Sequence, residues 1–227
     1  FSSSLVEYKN LLTALTANPE LRGHLAFDEM ELREVAVGDL PWEKASPKHP
    51  VRRWNDSDDA ALRIYLEKFG LQGKDRIYDA TDKVFKSNRI HPVKQLIESK
   101  PWDGTRRVER LFIDYLGADD TEYTRTVTRK TLTAGIARIY DPGCKWDYVL
   151  SLRGKQGAGK SSLVGKLAGE WFSDSLISMT GKEAFEQLRG VWIMEIGELA
   201  SMKRSEVENV KNFLSARVDK YRPAYGR

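Results

Sequence analysis

A glycine-rich segment at residues 154–162 carries the residue types that bind phosphate groups. Gly154, Gly159, Lys160 and Ser161 occupy every fixed position of the phosphate-loop pattern G-x-x-x-x-G-K-[ST]. Glycines let the backbone curl so that its NH groups face a phosphate, the lysine neutralises β- and γ-phosphate charge, and the serine hydroxyl is a ligand for Mg²⁺. The predicted nucleotide-binding residues are Gly154, Lys155, Gln156, Gly157, Ala158, Gly159, Lys160, Ser161 and Ser162.

The alternative for this segment is a surface glycine turn with an incidental lysine. The elements predicted around it argue against that alternative, because an apolar run rich in strand formers precedes it at residues 146–152 and a helical segment follows at 160–172. Strand, loop and helix in this order place the positive end of the helix at the bound anion. Phosphate binding is therefore the favoured interpretation.

Two carboxylates further along the chain have the spacing expected for nucleotide hydrolysis. Glu195 ends the apolar run 191–194, which is predicted to form a buried strand, and Glu198 follows it closely. Hydrolysis requires acidic groups at the end of a strand beside the phosphate loop. We expect Glu195 to bind Mg²⁺ together with Ser161, and Glu198 to orient the attacking water; Lys160 is the third predicted catalytic residue. The reverse assignment of the two glutamates fits the same spacing, and a simple helix-start carboxylate is the alternative for Glu198.

Strand-forming and helix-forming segments alternate after residue 143. Strands are predicted at 146–152, 175–180 and 191–196, and helices at 160–172, 181–190 and 205–218. This order is typical of a parallel sheet covered by helices on both faces. Residues 144–227 are therefore predicted to form the α/β core of a P-loop NTPase, a three-layer structure with a parallel sheet. Because the chain lacks an initiator Met and ends abruptly, we expect it to be a segment of a longer protein, with this core incomplete at its carboxyl end.

Residues 1–143 are predicted to form a mostly helical accessory or oligomerisation domain, with a few strands near its start. Apolar residues at helical spacing, together with helix-start and helix-stop residues, indicate its helices. These are expected at 5–17, 55–70, 74–88, 91–99, 106–117 and 122–140. The segment 24–37 is predicted to form short strands or an irregular connector, and the proline-containing segment 40–53 is predicted to be a loop.

Composition and charge limit the class of protein. Charged residues make up 31% of the 227-residue chain, but 37 Lys and Arg against 33 Asp and Glu leave a net charge of only +4, so any nucleic-acid-binding surface must be local. The single cysteine, Cys144, excludes an internal disulfide and favours a reducing compartment. The chain has neither a signal peptide nor a run of 18 apolar residues, so we expect a cytoplasmic protein without a membrane span.

Basic residues outside the loop have two interpretations. Arg217 and Arg222, near the carboxyl end, are candidates for an arginine that contacts the γ-phosphate of a neighbouring subunit. Arg125, Arg129 and Lys130 are candidates for tracking a nucleic-acid backbone. For each of them the alternative is an ordinary solvated surface charge. The three histidines are scattered and, with one cysteine, form no metal-ligand spacing.

Five motifs together resemble the virulence-associated protein E family, whose members are encoded largely by phages, prophages and mobile islands. They are the WDG motif at 102–104, the PG-K-D run at 142–147, the phosphate loop, the E-x-x-E-L signature at 195–199 and the D-x-x-R-x-x-Y-G-R ending at 219–227. The resemblance covers residues 50–227. It is specific because it rests on several motifs in order rather than on one.

This resemblance implies a P-loop ATPase akin to superfamily 3 helicases, often carried behind a primase domain, that drives replication of phage or mobile-element DNA. The implied ligands are ATP and Mg²⁺. The implied partners are single-stranded or replication-fork DNA and further copies of the chain in an oligomer, in the cytoplasm of a bacterial host. The resemblance assigns nucleotide binding to residues 154–162, metal and water chemistry to Glu195 and Glu198, and a functional role to Arg217 or Arg222. A sensor strand, and in related enzymes an arginine finger, is expected after the helix that follows Glu198.

Two other classes of function remain open. A nucleotide-gated regulator that binds DNA or a host protein without productive hydrolysis is compatible with Ile196, which stands where the familiar site carries a second, adjacent acid. A P-loop kinase for a small metabolite would need an acceptor pocket and a lid with paired arginines, and neither is evident in the sequence.

Overall fold

The fold is known from a computed structural model that describes residues 3–175, 181–197 and 211. The chain is mixed α/β and divides into two compact units, Phe1–Pro92 and Val93–Arg227, here called unit 1 and unit 2. The boundary predicted at residue 143 is a different one: it marks where the α/β core with the glycine-rich segment is expected to begin, and it stays a prediction. Among the described helices, none is long and apolar enough to cross a membrane.

Unit 1, described from residue 3 onwards, packs helices against a four-stranded sheet. Its elements are α1 Ser3–Ala17, β1 Leu25–Asp28, β2 Arg33–Val37, β3 Val51–Arg53, α2 Asp56–Glu67, α3 Lys74–Ser87 and β4 Arg89–Ile90. The strand order is β3-β2-β1-β4, with β4 parallel to β1 and the other pairs antiparallel. The short strands predicted within 24–37 are confirmed, whereas the loop predicted at 40–53 ends in β3.

The core of unit 1 contains apolar side chains from all three of these helices and from β1 and β2. Its buried members include Leu11, Leu15, Leu25, Ala36, Leu62, Leu66, Ile77 and Phe85. Full burial of a leucine or phenylalanine side chain stabilises the fold by ~1.5–3 kcal/mol relative to exposure. The helical spacing of apolar residues in the sequence corresponds to these buried faces, which is why the helices were predictable.

A polar cluster fixes the start of α2. The Asn55 side chain accepts hydrogen bonds from the backbone NH groups of Ser57 and Asp58, and the Asp58 carboxylate accepts from the Asn55 NH, forming a capping box. The Asp58 side chain is only 2% exposed and also accepts a bidentate pair of 2.7 Å bonds from Arg52 and a 3.0 Å bond from Trp42 Nε1. Burial alone would raise the pKa of Asp58, but Arg52 and the other donors outweigh it and hold the pKa below its usual value of 3.8.

We expect Asp58→Asn to lower the free energy of unfolding by about 2 kcal/mol at neutral pH, because buried donors lose a charged acceptor. A carboxyl with a lowered pKa stabilises the folded state above its unfolded pKa, and this contribution is lost as the pH falls through the folded pKa. The difference between wild type and variant is therefore expected to shrink below about pH 4. Urea unfolding at a series of pH values measures it.

The matched control for this substitution is Asp79→Asn on the exposed side of α3, which is expected to change stability by less than about 0.5 kcal/mol. A difference between wild type and Asp58→Asn that stays constant down to about pH 3 would contradict the role of the Asp58 charge.

Unit 2 is mainly helical in its described part, with one small parallel sheet. After α4 Pro92–Glu98, which begins at the unit boundary, its elements are α5 Leu111–Leu116, α6 Glu122–Tyr140, α7 Lys160–Ala168, β5 Phe172–Ser173, α8 Gly181–Glu186 and β6 Ile193–Met194, with single 3-10 turns at Val108–Arg110 and Gly169–Trp171. β5 and β6 pair in parallel, Phe172 opposite Ile193 and Ser173 opposite Met194. The predicted end of α5 is confirmed at Gly117, which adopts the left-handed conformation with φ 65°.

The strand predicted at residues 146–152, before the phosphate loop, is not formed: the described chain is irregular there and pairs with no described strand. The rings of Trp146 and Tyr148 pack edge to face with their centroids 5.2 Å apart, and Tyr148 and Val149 are exposed. Strand-forming residues alone do not make a strand, because the ladder hydrogen bonds and the burial of one face come from a neighbouring strand. The partner of β6 is instead β5, which follows α7.

Candidate functional site

The phosphate-loop segment is a tight backbone turn that ends in the first residue of α7. Gly157 and Gly159 have φ of 80° and 81°, in the left-handed region that other residues rarely adopt. A Cβ placed on Gly154, Gly157 or Gly159 would meet no described atom within 4 Å. The first NH groups of α7 have no partner within the helix and are free to bind an anion. Backbone conformation thus requires glycine at positions 157 and 159.

Lys160 lies folded over this turn. Its Nζ donates hydrogen bonds to the carbonyl oxygens of Gly154, at 3.1 Å, and Lys155, at 2.9 Å. These two acceptors hold the ammonium at the mouth of the loop. A phosphate oxygen entering the loop would form stronger, charge-assisted bonds with the same ammonium.

Ser161 and Glu195 are brought into contact although 34 positions separate them in the sequence. Ser161 lies in the first turn of α7, and Glu195 directly follows β6, where its NH donates to the Ser173 carbonyl at 2.8 Å and extends the parallel pairing. The Ser161 hydroxyl donates to Glu195 Oε1 at 2.6 Å. The second oxygen, Glu195 Oε2, is buried and has no hydrogen-bond partner among the residues that the structure describes. A carboxylate oxygen in this state is costly unless a cation or donor reaches it.

This pair fits a hard divalent cation such as Mg²⁺. A hydroxyl oxygen and a carboxylate with one free oxygen are ligands that Mg²⁺ prefers, and Mg²⁺ usually uses one or two carboxylates together with waters and substrate phosphates. Within the described part of the chain, no group of three or more His, Cys, Asp or Glu side chains is placed to hold a metal ion. A metal at Ser161 and Glu195 would therefore take its remaining ligands from phosphate and water.

The remaining predicted residues fall into two groups. Lys155, Gln156, Ala158 and Ser162 all lie on the turn or in the first turn of α7, so the whole predicted segment is contiguous in space. Glu198 lies outside the described residues, as do Arg217 and Arg222 and, apart from Lys211, the predicted helix at 205–218.

The candidate DNA-tracking arginines on α6 are engaged in ion pairs. Arg125 binds Asp120 with Nε at 2.6 Å from Oδ1, and Arg129 lies 3.5 Å from Glu109. The hydrogen bonds from Arg125, followed by those from Arg110, lower the pKa of Asp120 to about 2. These contacts match the alternative interpretation of these arginines, a solvated helix face that ties α6 to the preceding segment.

The WDG motif forms a closed turn. Asp103 accepts a bidentate pair from Arg107 at 2.7 and 2.9 Å and a bond from the Thr105 NH, while Trp102 Nε1 donates to the Thr105 carbonyl. The Arg107 guanidinium holds the pKa of Asp103 well below its usual range. Gly104 sits at the corner with φ 82°. The motif therefore has a structural explanation that needs no ligand.

A family model described as the virulence-associated protein E-like domain matches residues 97–227, which is more than half of the chain. The matched region contains the WDG motif, the phosphate loop, Glu195 and the carboxyl-terminal basic residues. Among curated proteins, none matches the chain significantly.

Proposed function

Because the chain belongs to the virulence-associated protein E-like family, we propose that it carries the ATP-binding and ATP-hydrolysing module of a phage or mobile-element DNA replication protein. The observation that carries this proposal is the contact between Ser161 Oγ and Glu195 Oε1, beside a lysine held at the mouth of a glycine turn. Family membership supports the role in replication, and the Ser161–Glu195 contact supports the binding of a metal–nucleotide complex.

The residues have distinct tasks in this proposal. Backbone NH groups of the turn and of the first turn of α7 bind the β-phosphate, and Lys160 moves from the Gly154 and Lys155 carbonyls to the β- and γ-phosphates. Ser161 and Glu195 hold Mg²⁺, which neutralises charge that develops on the phosphate oxygens. Glu198 orients the attacking water.

The architecture proposed for this module is the P-loop NTPase sheet, with β5 and β6 as neighbouring parallel strands of a three-layer core. The short pair Phe172–Ser173 and Ile193–Met194 has the parallel direction that such a core requires. It also places Glu195 at the carboxyl end of β6, where ligands bind in open parallel sheets. DNA and further copies of the chain are the proposed partners, because ring-forming replicative ATPases act on a DNA strand.

A nucleotide-gated regulator without productive hydrolysis is the second candidate. It is favoured by one observation: the end of β6 carries a single acid within the described residues, since Ile196 follows Glu195. Such a protein would use Ser161 and Glu195 to sense a bound metal–nucleotide complex and would transmit that state to a binding surface.

Phosphate release from ATP by the whole chain, with and without single-stranded DNA, separates the candidates. Release that requires Mg²⁺ and rises with DNA is the expected result. Tight binding of ATP without phosphate release would instead identify the protein as the nucleotide-gated regulator. Transfer of the phosphoryl group to a small-molecule acceptor, unaffected by DNA, would instead identify a metabolite kinase.

A further inference from the structure

A cavity of about 390 Å³ opens beside the phosphate loop, between α5 and α7. It is lined by Leu111 and Tyr115 from α5, and by Gly159, Ser162, Leu163 and Lys166 from the end of the loop and α7. Its volume lies within the range of ~300–1,000 Å³ that small-molecule pockets occupy. The cavity shares Gly159 and Ser162 with the predicted nucleotide-binding segment, so a ligand held by the loop would extend into it.

The two sides of α7 separate the metal site from this cavity. Ser161 contacts Glu195, and the next residue on that side, Gly165, lies against the Phe172 ring of β5 at 3.5 Å from a built Cβ. Ser162 and Lys166 are one position further round the helix and line the cavity instead. Phosphates in the loop would therefore have the Ser161–Glu195 pair on one side and the cavity on the other.

Tyr115 is the aromatic residue of this cavity. It stands one helical turn after Leu111 on α5, and it is 71% exposed. Phe112, which follows Leu111 in the sequence, is 5% exposed and lies on the buried side of the same short helix. An exposed ring that lines a cavity offers a face on which a base can stack.

The polar groups of the cavity do not distinguish adenine from guanine. Among the described lining residues, the polar side chains are those of Lys166, Ser162 and Tyr115. Adenine and guanine share the N7 acceptor and differ at C6, which carries a donor in adenine and an acceptor in guanine, and guanine alone has a 2-amino donor. An ammonium can donate to N7 of either base, and a hydroxyl rotates to donate or accept.

We propose that this cavity holds the nucleoside of the bound nucleotide, with Tyr115 stacked on a purine base, and that it accepts adenine and guanine alike. The proposal rests on the proposed function, because it needs the triphosphate to occupy residues 154–162. It adds the substrate class of that site: purine nucleoside triphosphates chosen by ring stacking rather than by hydrogen bonds to the base edge.

Calorimetric titration of the whole chain tests this, with Mg²⁺ and three ligands: non-hydrolysable analogues of ATP and of GTP, and inorganic triphosphate. Tyr115→Ala is expected to weaken both nucleotides about tenfold, because the stacking contact is lost, and to leave inorganic triphosphate unchanged. Tyr115→Phe keeps the ring and is expected to bind all three as wild type does. The matched control is Tyr123→Ala on α6, an exposed tyrosine that is not among the cavity-lining residues and is expected to bind normally.

Several outcomes would overturn the proposal while leaving the proposed function intact. These are a Tyr115→Ala variant with full nucleotide affinity, an equal loss for nucleotides and inorganic triphosphate, or a preference of wild type for one purine above about 100-fold. A loss in Tyr115→Phe would assign the effect to the hydroxyl and would also overturn stacking. If wild type binds neither the nucleotides nor inorganic triphosphate, the proposed function itself fails. Thermal unfolding of each variant shows that it is folded.

Discussion

Replacing Lys160 with alanine is expected to lower the affinity for the Mg²⁺–ATP complex about 100-fold, which corresponds to ~2.7 kcal/mol of binding free energy. The Lys160 ammonium lies at the mouth of the glycine turn, where it is held by the carbonyls of Gly154 and Lys155. Charge-assisted bonds from this ammonium to two phosphate groups would be lost, and the backbone NH groups would remain. Titration with a fluorescent ATP analogue measures the change.

Lys74→Ala serves as the matched control, because Lys74 is an exposed lysine at the start of α3 in unit 1. It is expected to bind nucleotide as wild type does. Equal affinities for wild type and Lys160→Ala would show that the glycine turn is not a phosphate site, and the proposed function would have to be abandoned.

Glu195→Gln is expected to lower the rate of ATP hydrolysis by about 100- to 1,000-fold, with nucleotide binding retained in the absence of Mg²⁺. Glutamine keeps the size of the side chain and an oxygen that can accept from Ser161 Oγ, but it removes the negative charge from a site with one buried, unpartnered oxygen. The dependence on Mg²⁺ concentration should shift to higher values. Phosphate release measured over a Mg²⁺ series gives both quantities.

Glu198→Gln distinguishes the two possible assignments of the glutamates. If Glu195 holds the metal and Glu198 orients water, Glu198→Gln lowers the maximal rate without moving the Mg²⁺ dependence, and the reverse assignment exchanges the two results. Glu183→Gln, at an exposed position on α8, is the control and should hydrolyse ATP normally. Full activity of Glu195→Gln would contradict a metal role for the Ser161–Glu195 pair.

A double variant gives a further check on that pair. Because Ser161 and Glu195 are in direct contact, their substitutions act on one interaction and their effects should not add. Ser161→Ala combined with Glu195→Gln is therefore expected to hydrolyse ATP only slightly more slowly than Glu195→Gln alone. Effects that multiply would indicate that the two residues act independently.

Structural features that depend only on residues adjacent in the sequence were predictable from it. The glycine turn, Lys160 and Ser161 were identified by spacing alone, because positive φ at Gly157 and Gly159 and the start of α7 are local properties. The same holds for the end of α5 at Gly117. Family membership was also predictable, because it rests on the order of several short motifs.

Contacts between distant segments required the tertiary structure. The sequence placed Glu195 at the end of a strand, and the structure shows that this strand, β6, pairs with β5. The ion pair of Arg129 with Glu109 depends on the packing of α6 against the 3-10 turn before α5, and the position of Tyr115 beside the loop depends on α5 lying near α7. A strand forms only where a neighbouring strand accepts and donates its ladder hydrogen bonds, and the effect of a charged side chain depends on which charges lie near it in the folded chain.

The sequence by itself thus determined the glycine turn before α7, the end of α5 and the family, since each is encoded within a few adjacent residues or a fixed order of motifs. Only the tertiary structure decided that Ser161 contacts Glu195 and that Tyr115 lines a cavity together with Gly159 and Ser162. These residues are far apart along the chain, and only packing of the elements that carry them brings their side chains within contact distance.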